Sequence, residues 1–316
     1  MTAHSPYIYS TGPNCAKQSA AAAAFALSLS GLPASLAGPA TSSETRRIAV
    51  VYPGDPNDSV CEQEFARDFG KYGAGRFMPF VYSFDMASYM SQTASIVERL
   101  KSAGITTVFL NSDLLFPAFF MNAAKQAGYF PEWVLLPFFS NAGRDADAWG
   151  TLPPQDEMEH AFSIGIADRS YATEEAYKVF EMGCRLPPAT SCDNPLPPFS
   201  MGLAYSTVLM IYSGLQAAGP WLTPTNFARG LASLPGGPTS GMFGAWKFTA
   251  GSTSPAASFQ VLRWYSDRVS PLNSADIPGT PVTPINNGRG VFLACNGAKQ
   301  YLYAKPNIPR GQPACP

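Results

Sequence analysis

The chain has 316 residues, 46% of them hydrophobic, a formal charge of -1 and a charged fraction of only 14%, enough apolar material for one large core or two moderate ones. No basic run or arginine-rich stripe of the kind that tracks phosphates occurs, which argues against nucleic acid as a partner. Six cysteines without a C-x-x-C pair and two histidines, His4 and His160, fall short of a zinc site, so neither a metal nor a cofactor is expected.

Pro6 to Ser10 has the composition of a short strand, ended by the Gly12-Pro13 turn. The alanine-rich run from Gln18 to Gly38 has two readings. One is a signal-peptide h-region with a small-residue cleavage site at Ser35 to Gly38; the other is a helix from about Asn14 to Ser30 packed on a sheet. The preceding segment holds Tyr7, Tyr9, a turn and Cys15 instead of a short basic n-region, so the helix fits better. Gly31 and Pro33 interrupt the run before it could span a bilayer.

From Arg46 to Phe139 one pattern comes three times. Arg46 to Tyr52 is a β-branched apolar run stopped by Pro53-Gly54-Asp55-Pro56, the mark of a buried strand, and a helix follows from Asp58 to Tyr72. Phe77 to Phe84, Ile105 to Leu110 and Glu132 to Leu136 are the next strands. Met86 to Ala103 and Leu115 to Ala127 are the helices between them. Strands alternating with helices of this length require crossovers, which predicts an α/β fold with a parallel sheet covered on both faces.

In such sheets ligands sit beyond the carboxyl ends of the strands. Three loops share that edge: Pro53 to Asp58, Asn111 to Asp113 and Pro137 to Ser140. Asp58 and Asp113 stand at helix starts, where a carboxylate caps free N–H groups, and the same N–H groups offer a ligand positive potential. Capping alone and ligand contact are both open for these two residues.

Asn141 to Gln155 reads as a polar loop. Glu159 to Gly165 reads as a further strand with His160 as a structural residue at its start, and Tyr171 to Met182 as a helix. Phe199 to Ala218 predicts a long helix, apolar nearly all round and therefore buried, with its methionines and tyrosines in the core. Thr223-Pro224-Thr225 is an N-cap and first turn for a helix running to Leu234. Gly241 to Thr249 and Ser258 to Tyr265 alternate like the two paired strands of a hairpin. Beyond Asp267 the chain is rich in Pro, Asn and Gly, which predicts a surface tail. Cys184 with Cys192 and Cys295 with Cys315 look like local disulfides, leaving Cys15 with Cys61 at helix starts; this usage suggests an oxidising compartment.

Several chemistries are missing. There is no G-x-x-x-x-G-K-[ST] stretch, no G-x-S-x-G elbow and no H-E-x-x-H, and Gly70 to Gly75 follows a helix instead of a strand. With His160 the one histidine outside the extreme N-terminus, a serine or cysteine nucleophile lacks a base. Acid pairs such as Asp55 with Asp113, or Asp145 with Asp147, are the remaining basis for an enzyme.

The order of elements resembles the type I periplasmic solute-binding proteins of ABC transporters, in particular the branched-chain amino acid (leucine/isoleucine/valine) group. The resemblance rests on Ser5 to Thr11 followed by a helix, Arg46 to Tyr52, Ser91 to Lys101 before Ile105 to Asn111, Ala123 to Gly128 with Pro131-Glu132-Trp133, the helix around Tyr205, and Gly244 to Phe248. It implies two α/β lobes joined by hinge crossings that close on a solute. Residues 1–11 and 166–238 would be a remnant of the first lobe, 12–165 and 239–266 the second, and 267–316 the tail. It also implies that further strand–helix units and a signal peptide precede Met1 in a longer parent.

In the branched-chain group a tyrosine of the first loop and an acid after the fourth strand meet the ligand ammonium. Here those places hold Asn57 and Phe138 or Phe139, so a zwitterion would lack its partner unless Asp113 supplies the charge. Ser10 and Thr11, beside the first crossing, could offer hydroxyls. The resemblance thus implies a non-catalytic, extracytoplasmic binding component for a small, possibly hydrophobic, solute, with an ABC transporter permease as membrane partner. A sensing ectodomain or regulator of the same fold is the alternative, and a hydrolytic enzyme on a doubly wound sheet is less well supported.

Overall fold

Val50 and Val51 point to opposite faces of one strand, and each is fully buried in a different core. That is why the strand Ile48–Pro53 (β1) reads as an unbroken apolar run. The computed structural model describes residues 9–10, 12–54, 59–136, 147, 149–165, 182–183, 185–186, 200–240, 244–270 and 289–316. Around β1 the chain alternates helix and strand: Cys15–Ser28 (α1), β1, Ser59–Tyr72 (α2), Phe77–Tyr82 (β2), Tyr89–Ser102 (α3), Thr107–Leu110 (β3), Phe116–Gln126 (α4) and Glu132–Leu135 (β4). A short helix, Gln155–Met158 (α5), begins where the expected polar loop ends, and Ala161–Gly165 (β5) follows.

Strands β2, β1, β3, β4 and β5 are parallel neighbours in that order. One face is covered by α1 and α2, where Phe25, Phe65, Phe69 and Phe109 pack with Val50, Val134 and Phe162. The alanines of α1 let its backbone lie close to the sheet, and Phe25 fills the remaining space, edge-on to Phe109 and Phe162 at 6.5 and 5.5 Å. The other face is covered by α3 and α4, with Phe116, Phe120, Trp133 and Val108. Each buried phenylalanine contributes about 1.5–3 kcal/mol by removal from water. Pro79 is tolerated because β2 is the sheet edge.

Beyond β5 come Ser200–Ala218 (α6), Pro224–Ser233 (α7), Gly237–Ser240 (β6), Gly244–Trp246 (β7), Ser258–Val269 (β8), Arg289–Ala294 (β9) and Tyr301–Leu302 (β10). Here three expectations need correction. The stretches Gly241 to Thr249 and Ser258 to Tyr265 are not simply each other's strands: β7 pairs with β6, and β8 pairs antiparallel with β5, β9 and β10. The backbone groups of β8 are used on both sides, and the first stretch pairs instead with residues 255–257 just before β8, through the Trp246–Ala256 bridge.

Within the 267–316 segment, residues 289–316 are not a surface tail either. Residues Val291, Phe292, Tyr301 and Tyr303 are buried, because the apolar run of β9 extends the sheet beside β8. Nor is α6 buried all round. Gly214 lets Phe227 and Leu231 of α7 close on it, but Val208, Leu209, Ile211 and Tyr212 stay exposed, since α7 is the only element packed extensively on α6 among the described residues. No helix among the described residues is long and apolar enough to cross a membrane. The strand expected at Pro6 to Ser10 is described only at Tyr9 and Ser10, and the helix expected at Tyr171 to Met182 lies outside the described residues except for Met182.

Candidate functional site

The carboxyl ends of β1 and β3 and the N-termini of α1, α2 and α4 converge on one edge. A disulfide joins Cys15, the first residue of α1, to Cys61 in the first turn of α2. The amide of Asn111, just past β3, lies 4.0 Å from the Cys61 sulfur, and its backbone N–H donates to Val51 at 2.9 Å. Gly54 N–H donates to the Tyr82 carbonyl at 2.7 Å, so close to β2 that a Cβ would collide with Val81. Helix N-termini gathered in this way favour negative or dipolar ligand groups.

Asp113 holds the next stretch of this edge. Its Oδ1 accepts from the N–H groups of Leu115 and Phe116 at 2.8 and 3.0 Å, capping α4. Its Oδ2 accepts from the hydroxyls of Tyr82 and Tyr89 at 3.0 and 2.8 Å. Burial, reinforced by this carboxylate, raises both phenols above the usual tyrosine range. With four donors aimed at its two oxygens, Asp113 is committed to the fold, which weakens the idea that it supplies charge to a ligand ammonium. Tyr82 and Tyr89 were not foreseen as part of this edge. Their apolar spacing marks them as core, and only the tertiary structure brings their hydroxyls to one acid.

Around Asp113 the edge is apolar and open: Phe84, Met86 and Leu115 are exposed, Phe84 by 70%. On the α1/α2 side, burial and the neighbouring Glu62 push the Tyr52 phenol up to about 12.

Ser10 lies at one end of a laced pair of segments. Its N–H donates to Thr253 at 2.6 Å, and its hydroxyl donates to the Gly12 carbonyl at 2.9 Å. The Ser254 hydroxyl donates to the same Gly12 carbonyl at 2.7 Å. Lys17, in the first turn of α1, donates from Nζ to the carbonyls of Ser254 and Ala256 at 2.7 and 2.5 Å, and burial lowers its pKa to about 8. Ser10 is therefore used on backbone. Thr11, Asn57, Asp58, Phe138 and Phe139 lie outside the described residues, as do Cys184 and Cys192. Cys295 is bonded to Cys315, which fastens the C-terminus beneath the sheet margin.

Of the acid pairs considered for an enzyme, Asp55 and Asp145 lie outside the described residues. Asp147 accepts from the Ser270 hydroxyl at 2.5 Å and from the Phe292 N–H at 3.0 Å, a structural use. No group of three or more His, Cys, Asp or Glu side chains able to hold a metal occurs among the described residues.

This architecture has known counterparts. A branched-chain amino acid ABC transporter protein from Thermus thermophilus with bound valine is 12% identical over 81% of this chain and 64% of its own, with a TM-score of 0.54. A leucine-binding protein from Thermotoga maritima gives 14% identity, 83% and 66% coverage and 0.53. A fatty acid ABC transporter substrate-binding protein from Thermomonospora curvata gives 13%, 91% and 64%, and 0.53. The chain thus spans about two thirds of the length of these structures, and at such identities the likeness is one of fold. No curated protein sequence matches. The profile of a periplasmic binding protein family matches residues 2–268, most of the chain. By that match and by its mostly parallel α/β sheet, the chain belongs to the periplasmic binding protein family.

Proposed function

We propose that this chain forms part of an extracytoplasmic solute-binding component of an ABC transporter, non-catalytic, which holds a small solute with a predominantly apolar body at the carboxyl edge of its sheet and presents it to a membrane permease. The observation that carries this reading is the composition of that edge in a member of the family: helix N-termini beside exposed Phe84, Met86 and Leu115, with the carboxylate of Asp113 already saturated. A free ammonium there would not be answered by Asp113, and an unanswered ammonium is costly in a closed cleft. The valine-bound, leucine-binding and fatty acid proteins of similar fold take ligands that share an apolar body and a carboxylate.

In this reading Asn57, Asp58, Phe138 and Phe139, on the loops that continue from β1 and β4, and Thr11 contribute the remaining contacts. Residues 1–11 and 166–238 act as first-lobe material, and the laced segments at Ser10 and Thr253 serve as the hinge. A sensing ectodomain of the same fold is the second reading, favoured by the same edge; a signalling or membrane segment in the parent gene would distinguish it.

Isothermal titration with leucine, valine and a medium-chain fatty acid tests the proposal. Saturable binding of the fatty acid or another apolar carboxylate, with a rise in melting temperature that grows with ligand concentration, is the expected result. Tight binding of an ion or sugar with no response to any apolar carboxylate would sink it.

A further inference from the structure

At the opposite, amino edge of the sheet lies a groove of about 590 Å³, in the range of small-molecule sites. One wall is the loop after α1, with Leu36, Ala37 and Pro39; the other is the far end of β8, with Arg263 and Tyr265; His160 lines it between them. The strand pattern puts Arg263 and Tyr265 on the α1 face, two residues apart, where Val261 is core. Position 263 continues an apolar stripe, yet it carries a guanidinium.

That guanidinium has no hydrogen bond or ion pair among the described residues, and its Nε is shut off from solvent. The Tyr265 hydroxyl is likewise buried and unpartnered. Two guanidiniums lie against its ring, Arg263 at 5.1 Å and Arg268 at 4.3 Å, and Arg268 is occupied with the Pro316 carbonyl at 3.1 Å. Buried donors without acceptors are rare and ask for an explanation.

The walls are fixed. Leu36 donates its N–H to Glu132 at 3.0 Å, and its carbonyl accepts from His160 Nδ1 at 2.6 Å. Of the two acids lining the groove, Glu159 is held by the Ser266 hydroxyl, and Asp267 is exposed. A guanidinium and a phenol without hydrogen-bond partners, in one groove with Leu36, Ala37 and Pro39, suit a compact anion with an apolar body.

We propose that this groove binds a small organic carboxylate, with Arg263 taking the carboxylate, Tyr265 donating to it, and Leu36, Ala37 and Pro39 receiving the apolar part. The site lies at the far end of the sheet from the cleft edge and does not depend on what the cleft binds. Arginine suits this task because its planar fork matches a carboxylate.

Titration of the full chain with benzoate, with benzamide as its uncharged twin and inorganic phosphate as an anion without an apolar body, tests the assignment. Saturable benzoate binding is expected, with amide shifts at residues 36, 37 and 263–266 in two-dimensional NMR, while benzamide and phosphate bind at least about tenfold more weakly. Arg263→Ala should weaken benzoate by about tenfold or more and Tyr265→Phe by a smaller factor, Arg263→Lys falling between wild type and alanine. Tyr265→Phe and Arg263→Lys keep the test valid should Arg263→Ala fail to fold. Absence of saturable benzoate binding, phosphate or benzamide binding as tightly, or benzoate affinity unchanged in Tyr265→Phe and Arg263→Lys would overturn the proposal.

Discussion

Trp133 donates its indole N–H to Glu157 across 2.9 Å in the α3/α4 core, and the second oxygen of that carboxylate has no partner. Burial, with the charge of Asp156 adding to it, pushes Glu157 up to about 8. A carboxyl whose folded pKa lies above its unfolded value binds a proton in the native state that the unfolded state has lost. Stability therefore falls as pH rises from the ordinary glutamate range through about 8, and is flat above that. Glu157→Gln keeps an acceptor for Trp133 and removes the proton. Melting temperatures from pH 5 to 9 should show this slope in the wild type and a smaller slope in the variant, with the variant the more stable at pH 9. Parallel curves would refute the assignment.

Lys17 carries the opposite sign. Its folded pKa, lowered to about 8 by burial, means that the unfolded state holds the proton more strongly between about 8 and the ordinary lysine value. This group's contribution to stability should therefore rise with pH across that window. Lys17→Met removes the slope and also the donors to Ser254 and Ala256. Hydrogen exchange should then quicken in residues 253–257 more than in α1 itself. Uniform exchange throughout the chain would mean that Lys17 does not tie these segments.

Arg46 and Glu132 form a bidentate pair, with Nε to Oε2 and Nη2 to Oε1 both at 2.7 Å, and Glu132 is fully buried. Thr107 and the Leu36 N–H complete its shell. Breaking one side leaves a buried charge alone, so Arg46→Met should cost about 3–5 kcal/mol by urea unfolding. A loss under about 1 kcal/mol would show that water reaches Glu132 in solution.

At the cleft edge, Asp113→Asn keeps the cap geometry and removes the charge. If the solute carries no ammonium answered by Asp113, affinity for an apolar carboxylate should change less than about threefold, while stability falls by roughly 1 kcal/mol through the weakened cap and tyrosine bonds. Loss of affinity by about a hundredfold with a leucine-like zwitterion would restore the charge role to Asp113.

Much of the sheet was legible in the chain. The runs around Val50, Val108 and Val134 are apolar on both faces, and only strands covered on two sides permit that, so their type and parallel pairing followed from local pattern. The carboxyl edge followed as well, because connectivity alone fixes where such strands end. Residues 289–294 were misread, since a short apolar run in Pro- and Gly-rich surroundings gains its strand only by pairing with β8. The exposure of Ile211 and Tyr212 was also hidden: periodicity reports how apolar a helix is, but not whether an element is present to cover it.

Local sequence therefore determined the strand–helix alternation and where the carboxyl edge of the sheet lies, because backbone geometry and hydrophobic spacing act over a few residues. The use of each polar group was decided only in three dimensions. Asp113 is spent on Tyr82 and Tyr89 from distant positions, and Arg263 is left idle beside a groove, because hydrogen bonds are satisfied by whichever partners the fold brings within about 3 Å.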